Sequence, residues 1–464
     1  MINDKTIFGG AQKIHLTGIG GIGMSGIAEY LVKHNFRVTG SDMNLSPLTK
    51  KLENLGVKIF QGHSKNNLPD DTDLLIYTSA VKEDNEELAK ASGLKIRKIK
   101  RAEALGNIVN HKFLIAVSGT HGKTTTSAMI AKVLIDNKFD PTVFVGGSLD
   151  FLDGNSSRSG KSEFAIAEAD EYDRSFHQLK ADIAVITNIE PDHLDIYRDI
   201  EDIKNSFRQF LSSCKKDSVI IACGDDENVR EVLTDFKNVI FYGFRDINDY
   251  VIKNINYENG KAGFMVNGKE IFLKVAGNHN ILNSVAAFLA AKQLKISSDN
   301  FNSSMNDFHG VKRRLELKFE NGIVIYDDYA HHPTEVKASL EAIRKMHSGK
   351  IITIFQPHLY TRTRDFYIEF GDAFRETDIL FLTKIYPARE TEIEGVSSSL
   401  ILNEFLKSDK KGYYIENREE LLSELSSIIQ DGDILIFQGA GDITEMCDRF
   451  VKISRKKRNA KVPL

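Results

Sequence analysis

Ala116-Val117-Ser118-Gly119-Thr120-His121-Gly122-Lys123-Thr124-Thr125-Thr126 is the stretch on which the reading of this chain turns. The apolar run Phe113 to Val117 before it predicts a buried strand, and Ser127 to Ile135 after it predicts a helix. Gly-Lys-Thr between a strand and a helix is the heart of a phosphate-binding loop. Its glycines let backbone N–H groups turn in on a polyanion, and the helix N-terminus adds partial positive charge. Gly119, Thr120, His121, Gly122 and Thr125 supply the cradle, Lys123 meets the outer phosphates, and the Thr124 hydroxyl is a Mg²⁺ ligand. Val117 stands where the common form has a glycine, five residues before Gly122, so the loop is short. The expected ligand is a nucleoside triphosphate, ATP.

Composition sets the frame around this loop. A chain of 464 residues holds about two to four domains. Lys and Arg number 61 and Asp and Glu 65, a balance that gives no reason to expect a nucleic-acid or membrane partner. Cys214, Cys223 and Cys447 are widely spaced with no C-x-x-C, which argues for a reducing compartment and against a disulfide or zinc framework. Met1 to Gly10 carries no basic-then-apolar pattern and no apolar run reaches membrane-spanning length, so a cytoplasmic location without membrane insertion is expected. The basic run Arg455 to Arg458 reads as a frayed, solvated terminus.

Before the loop, Lys13 to Thr17 predicts a strand, Ile27 to Lys33 a helix, and Arg37 to Thr39 a second strand ending in Gly40-Ser41-Asp42. Gly18, Gly20 and Gly23 between them fit G-x-G-x-x-G, with Gly21 in the same run, and Asp42 lies at the offset where an acid reads a ribose hydroxyl. Leu74 to Tyr77 predicts another strand, running into Thr78-Ser79, and Ile96 to Ile99 one more. Ligands of parallel sheets bind beyond strand C-termini, so Ser79 and Asp42 could share a site. Gly62-His63 reads as a solvated loop.

After the loop, two predicted strands end in acidic stretches: Glu163 to Ala167 runs into Glu168-Ala169-Asp170-Glu171-Tyr172-Asp173, and Asp182 to Thr187 into Asn188 through Asp195. Strand ends beside a phosphate loop supply Mg²⁺ carboxylates. Glu168, first off its strand, is the leading ligand, and Asp170, Glu171 and Asp173 read equally well as a solvated acidic turn. His193 could hold a second divalent ion, and imidazole suits Mn²⁺ better than Mg²⁺. Asn267-Gly268 between two short apolar runs predicts a hairpin. Beyond it a helix opens around Asn278 to Asn280, with His279 and Asn283 one turn apart.

Arg313 and Arg314 sit at a domain junction, where an arginine pair can clamp a phosphate or simply form part of a solvated linker charge run. A strand from Gly322 to Tyr326 leads into Asp327-Asp328-Tyr329-Ala330-His331-His332-Pro333-Thr334-Glu335, with Pro333 suited to a first helical position. Further strands, Ile351 to Phe355, Ile379 to Thr383 and Ile434 to Phe437, each end in polar loops, the first in Gln356-Pro357-His358-Leu359-Tyr360-Thr361-Arg362. The residues alone imply phosphoryl transfer from ATP and a second nucleotide-shaped site. They leave open whether the acceptor is water, an alcohol or a carboxylate. An NAD-linked oxidoreductase and a regulatory P-loop ATPase remain as alternatives.

In order along nearly the whole chain, these motifs resemble the Mur ligase family. They are Gly18 to Gly26, Gly119 to Thr124, Glu168 to Glu171, Thr187 to Asp195, His279 to Asn283, Asp327 to Glu335 and Tyr386-Pro387-Ala388-Arg389-Glu390. The nearest likeness is to the branch that adds L-alanine to UDP-N-acetylmuramate, with the tripeptide-recycling branch as the alternative. The resemblance implies an α/β fold of three domains. Residues 1–107 would be a Rossmann-like UDP-sugar domain, 108–310 a P-loop ATPase-type parallel sheet with a small β-hairpin extension, and 311–464 a Rossmann-like domain for the amino acid. ATP would phosphorylate the lactyl carboxylate, and the amine of L-alanine would displace phosphate from the acyl phosphate.

The same likeness assigns catalytic roles to Lys123, Glu168, His193, Arg314 and Asp328, with Thr124, Glu168 and His193 as metal ligands. It puts His279 and Asn283 near adenine and Arg314 on the ATP. Gly18, Gly20, Gly21, Gly23, Asp42 and Ser79 fall to the UDP-sugar, and Tyr329, His331, His358 and Arg362 to L-alanine. A monomer or weak homodimer is expected. One position departs from the pattern. Relatives often carry an arginine where this chain has Leu359, which shifts carboxylate recognition toward Arg362.

Overall fold

The computed structural model describes residues 6–193, 196–258, 261–275, 277–388 and 390–459. Leu194, Asp195 and Arg389 of the motifs and the first five residues lie outside this set, and of the basic tail only the Arg455 and Lys456 side chains fall within it. Three sheets organise the chain.

The first has five parallel strands, β1 (Lys13–Thr17), β2 (Arg37–Asp42), β3 (Lys58–Gln61), β4 (Leu74–Tyr77) and β5 (Arg97–Lys100), in the order β3-β2-β1-β4-β5. β1 lies between strands that follow it in sequence, so the crevice at its C-terminal end is a topological switch point, and Gly18 opens there. β2 is longer than its apolar residues predict. Gly40, Ser41 and Asp42 continue the ladder because β3 pairs with them.

The central sheet contains β6 (Phe113–Ser118), β7 (Thr142–Leu149), β8 (Asn155–Arg158), β9 (Phe164–Glu168), β10 (Ile183–Ile186), β11 (Val219–Cys223), β12 (Val239–Gly243), β13 (Tyr250–Glu258), β14 (Lys261–Val266) and β15 (Lys269–Leu273). Its order is β15-β14-β13-β12-β11-β10-β6-β9-β7-β8. β6 runs parallel to both neighbours, and its register pairs Val117 with Glu168 on β9 and Ser118 with Ile186 on β10. That register brings both acidic strand ends beside the phosphate loop. The expected hairpin forms at Asn267-Gly268, both with positive φ (44° and 76°), and β13 widens it beyond two strands.

The third sheet contains β16 (Glu316–Asn321), β17 (Ile323–Asp328), β18 (Ile351–Phe355), β19 (Ile379–Leu382), β20 (Lys411–Tyr414) and β21 (Ile434–Gln438). They are ordered β16-β17-β21-β18-β19-β20, with only the β16–β17 pair antiparallel. Asp328 pairs with Gln438 in register, so the loops after β17 and β21 start side by side.

The chain forms two compact units. The first comprises Met1–Ile255, Phe264–Phe272 and Leu282–Phe308, and the second Asn256–Gly263, Leu273–Ile281 and His309–Leu464. Within the first, one continuous core runs from Leu16, Ile27 and Leu31 to Phe144, Ala165 and Phe207, joining the first two sheets. The helix Ile22–Lys33 lies on β7 and β8. Gly26 makes this approach possible, because a Cβ there would sit 3.0 Å from the Ser157 Cβ. Tyr30 and Phe144 pack with ring centroids 6.3 Å apart, and Lys51 binds both Glu29 and Asn155.

Candidate active site

The helix after the phosphate loop begins at Lys123 itself, four residues earlier than its apolar pattern implies, and runs to Asp136. Its N-cap is Gly122, left-handed at φ 84°, and no side chain caps it. The first-turn amides are therefore without a side-chain acceptor of the kind that usually satisfies them. Both loop glycines are enforced by their neighbours. A Cβ on Gly119 would lie 2.0 Å from Thr187 Oγ1, and one on Gly122 2.5 Å from Asn283 Oδ1. The loop is tied to the β10 end: His121 N donates to Asn188 Oδ1 (2.8 Å), Thr187 Oγ1 donates to His121 O (2.6 Å), and Glu190 N donates to Thr120 Oγ1 (2.9 Å).

Lys123 Nζ donates to Gly119 O (2.6 Å) and to both carboxylate oxygens of Glu171 (2.9 and 2.8 Å). Burial alone would push this ammonium down, but Glu171, Asp170 and Glu168 together hold it above the ordinary lysine range. Glu168 ends β9 and accepts from Gly146 N (2.5 Å) and Thr124 Oγ1 (3.2 Å). Burial raises its carboxyl, and Gly146 and Lys123 only partly offset that. Three carboxyl groups thus gather around one ammonium, an arrangement that could take up a divalent cation. His193, left-handed at φ 54°, lies 3.7 Å from Glu171 Oε1 and packs edge-on against Tyr172.

Glu171 differs from its reading as part of a solvated turn. Its side chain is 4% exposed and shared between Lys123 and His193. The only trace of this in the sequence is its place three residues after Glu168 on a buried strand's end. Asp173 likewise is engaged, accepting from Ser79 Oγ (2.9 Å) and Lys100 Nζ (2.9 Å). Asp173 and Arg174 are consecutive left-handed residues (φ 52° each). Ser79 therefore meets Asp173 and not Asp42.

In the first sheet's crevice, Gly20 N donates to Asp42 Oδ2 (2.8 Å) and Asn44 N to Oδ1 (3.1 Å), so this acid is folded back onto the glycine loop. Gly18 is left-handed (φ 83°), and a Cβ there would lie 2.6 Å from Thr78. Gly23 faces the Arg101 side chain, and Gly21 N donates to Gly18 O (3.4 Å). His63 is not the solvated loop residue expected. It meets Ser41 Oγ at 2.9 Å and lies 3.7 Å from Glu87, a fully buried carboxylate. Burial works to raise Glu87, yet hydrogen bonds from His15, Thr17 and Ser41 bring it to about 2.

The second unit gathers its polar residues at the ends of β17, β18 and β21. The guanidinium carbons of Arg313 and Arg314 lie 4.8 and 5.0 Å from the centroid of the Tyr329 ring. Arg313 and Leu315 are left-handed (φ 59° and 49°), each at a cost on the order of 1–3 kcal/mol. Asp328 accepts from Leu315 N (3.2 Å) and Gln438 Nε2 (3.0 Å), and burial raises its carboxyl. His332 caps the helix Pro333–Met346, with Pro333 at its start as expected and Glu335 closing a capping box. Glu335 also accepts from Arg314 NH1 (3.3 Å) and His331 N (3.1 Å).

His331, His358 and Tyr386 follow one another as ring neighbours at 5.5 and 5.8 Å, and Arg362 reaches His358 Nδ1 at 3.4 Å. Burial, with Arg362 and His358 adding to it against Glu335, pushes His331 down to about 3. Leu359 is buried and left-handed (φ 71°), so it offers the pocket no polar group, whereas Arg362 does. His279 belongs to this unit, near Glu335 and Arg314, and burial lowers it to about 4. Asn283, one turn along the same helix, belongs to the first unit and abuts Gly122.

Fold and site together define an α/β enzyme built to handle nucleotide phosphates. The chain belongs to the Mur ligase family: residues 13–113 match the Mur ligase family catalytic domain, 117–291 the Mur ligase middle domain, and 313–441 the Mur ligase glutamate ligase domain. It is 42% identical over 450 residues to a UDP-N-acetylmuramate–L-alanine ligase of Clostridium tetani, covering 95% of this chain and 98% of that protein. A ligase of the same name from Sulfurihydrogenibium sp. is 41% identical over 452 residues, covering 97% and 99%. Among solved structures, the UDP-N-acetylmuramate-alanine ligase of Thermotoga maritima matches with a TM-score of 0.82 at 30% identity, across 96% of this chain and 99% of that one. A murein peptide ligase from Psychrobacter arcticus shares the fold, with a TM-score of 0.70 at 22% identity across 95% and 98%.

Proposed function

We propose that this chain joins L-alanine to the lactyl carboxylate of UDP-N-acetylmuramate at the expense of ATP, an early step in making peptidoglycan precursors. The observation that carries the reading is the match along 95% of the chain, at 42% identity, to a ligase of that name. The carboxylate takes the terminal phosphoryl group of ATP and ADP leaves. The amine of L-alanine then attacks the acyl phosphate, and inorganic phosphate departs from the tetrahedral intermediate as the amide forms.

The residue roles are those that the family likeness implies, and the chemistry of each side chain is compatible with them. Gly119, Thr120, His121, Gly122 and Thr125 cradle the phosphates through backbone N–H groups, and Lys123 stabilises charge on the transferring group. Thr124 and Glu168 would hold Mg²⁺, with His193 as ligand to a second ion, Mg²⁺ or Mn²⁺. The gathering of three carboxyl groups around one ammonium supports that assignment. When bound, the ion supplies charge neutralisation on the phosphate oxygens. His279 and Asn283 serve the adenine end. Arg314 and Asp328 act on the ATP.

Gly18, Gly20, Gly21, Gly23, Asp42 and Ser79 take the UDP-sugar, within a domain of residues 1–107. The ATP domain spans residues 108–310, and the C-terminal domain, residues 311–464, takes L-alanine through Tyr329, His331, His358 and Arg362. We infer a cytoplasmic enzyme acting as a monomer or weak homodimer; no helix among the described residues is long and apolar enough to cross a membrane. ADP release with UDP-N-acetylmuramate and each amino acid in turn tests the reading. Turnover is expected with L-alanine. Turnover that requires a tripeptide and ignores L-alanine would assign the chain to the recycling branch instead.

A further inference from the structure

Arg314, Asp328 and Tyr329 have tasks in the proposed reaction, whereas Arg313 and Asp327, their immediate neighbours, have none. Yet these two are built into the second unit with more care than a solvated junction needs. Arg313 NH2 donates to Gly439 O (2.7 Å) and Gly441 O (3.1 Å), stapling the segment before β16 to the loop after β21. Its backbone N donates to Glu316 Oε2 (2.9 Å), and its carbonyl accepts from Tyr329 N (2.5 Å). Asp327 is fully buried. Its Oδ2 accepts from Thr444 Oγ1 (2.6 Å), while its Oδ1 faces Arg313 Nε at 4.0 Å. Among the described residues neither of those two facing atoms has a hydrogen-bond partner, although both atoms are buried.

We propose that Arg313 and Asp327 are a positioning pair: a partly buried anchor that holds the turn Arg313–Leu315 in its left-handed form and so aims Arg314 and Tyr329. The turn carries two strained residues, and such strain persists only where surroundings over-determine it. The side chains of Arg313 and Arg314 lie against the same Tyr329 ring, so relaxing Arg313 would let that ring and Arg314 drift together. Asp327, fully buried, is the carboxyl group that faces the Arg313 guanidinium, whose side chain is 24% exposed. Misplacing a reacting group by about 1 Å costs on the order of 100-fold in rate, so a small drift suffices. The inference rests on the ligase reading.

Steady-state kinetics of the full chain with ATP, L-alanine and UDP-N-acetylmuramate decide it, with folding checked by circular dichroism. Arg313→Ala is expected to lower kcat by on the order of 10- to 100-fold, while KM for UDP-N-acetylmuramate stays within about twofold. Arg313→Lys, which keeps the charge and a donor, should recover part of the loss. Asp327→Asn, which keeps the acceptor for Thr444, should lower kcat about 3- to 10-fold. If Arg313→Ala does not fold, Arg313→Lys and Asp327→Asn carry the test. Folded variants with wild-type kcat overturn the proposal, and so does a rise in all three KM values at unchanged kcat. The wild-type control separates the two readings: only the ligase reading fails if unmodified protein shows no L-alanine-dependent ADP release.

Discussion

Lys123 and Glu171 show how a single buried pair sets both rate and stability. Replacing Lys123 by Ala removes the group that meets developing charge, and turnover should fall at least ~100-fold. It also strands Glu171 in a dry site. Breaking a buried pair by removing one partner costs about 3–5 kcal/mol, so the melting temperature should drop as well. Adding Glu171→Gln removes the stranded charge, and the double variant should regain most of the stability and none of the activity. Thermal melts beside ADP release read both. A double variant as unstable as Lys123→Ala would mean that the pair is not what holds this corner.

A second residue-scale prediction concerns His331, held neutral at about 3 against an ordinary value of 6.5. The unfolded chain takes up a proton below 6.5 and the folded chain does not, so this contribution is complete above 6.5 and lost as pH falls toward 3. From pH 6.5 to 5 it amounts to about 2 kcal/mol. His331→Gln should therefore lose less stability than wild type between pH 7 and 5, and parallel losses would count against it. Lys123 was legible in the sequence because glycine, strand and helix flank it. Glu171 was not, since an acid just past a strand reads the same whether water or an ammonium awaits it.

Elements were legible in proportion to how much of their stability lies in their own residues. The runs behind β6, β10, β18 and β21 are mostly apolar and almost wholly buried, so pattern alone finds them. β8, Asn-Ser-Ser-Arg, has no such run and is a strand because β7 offers it ladder partners. β20, Lys-Gly-Tyr-Tyr, is an edge strand with one neighbour and an exposed face. The helix Pro333–Met346 was announced by Pro333, but the second duty of its capping residue was not. Glu335 closes the box and also holds Arg314. Glu335→Gln should keep the cap, since Gln serves at that position, and lose the charge facing Arg314. Glu335→Ala should lose both, with a further cost of about 1 kcal/mol for the cap. Kinetic damage shared by both variants, with a melting shift only in the second, separates the two duties. Equal melting shifts would show that the box depends on the charge.

At the scale of the molecule, a chain whose motifs fall into three segments folds as two compact units, the first containing two sheets. Sequence composition gives no hint of this, because the residues that join the sheets are ordinary apolar and small ones whose partners are distant in the chain. Gly26 is the sharpest of them. Its backbone has no left-handed requirement, so the absence of a side chain serves packing alone, against Ser157 and Phe144. Gly26→Val would overfill this contact at a cost of about 1–3 kcal/mol. If the shared core of Leu16, Ile27, Phe144 and Ala165 makes the first unit one cooperative body, that cost is felt by both its sheets. Hydrogen exchange on the variant should then show protection reduced together in β1, β4, β6 and β10. The amides of β17, β18 and β21, which belong to the second unit, should keep wild-type protection. Loss confined to β1 and β4 would show that the two sheets open independently, and that the contact at Gly26 joins them without coupling their stability.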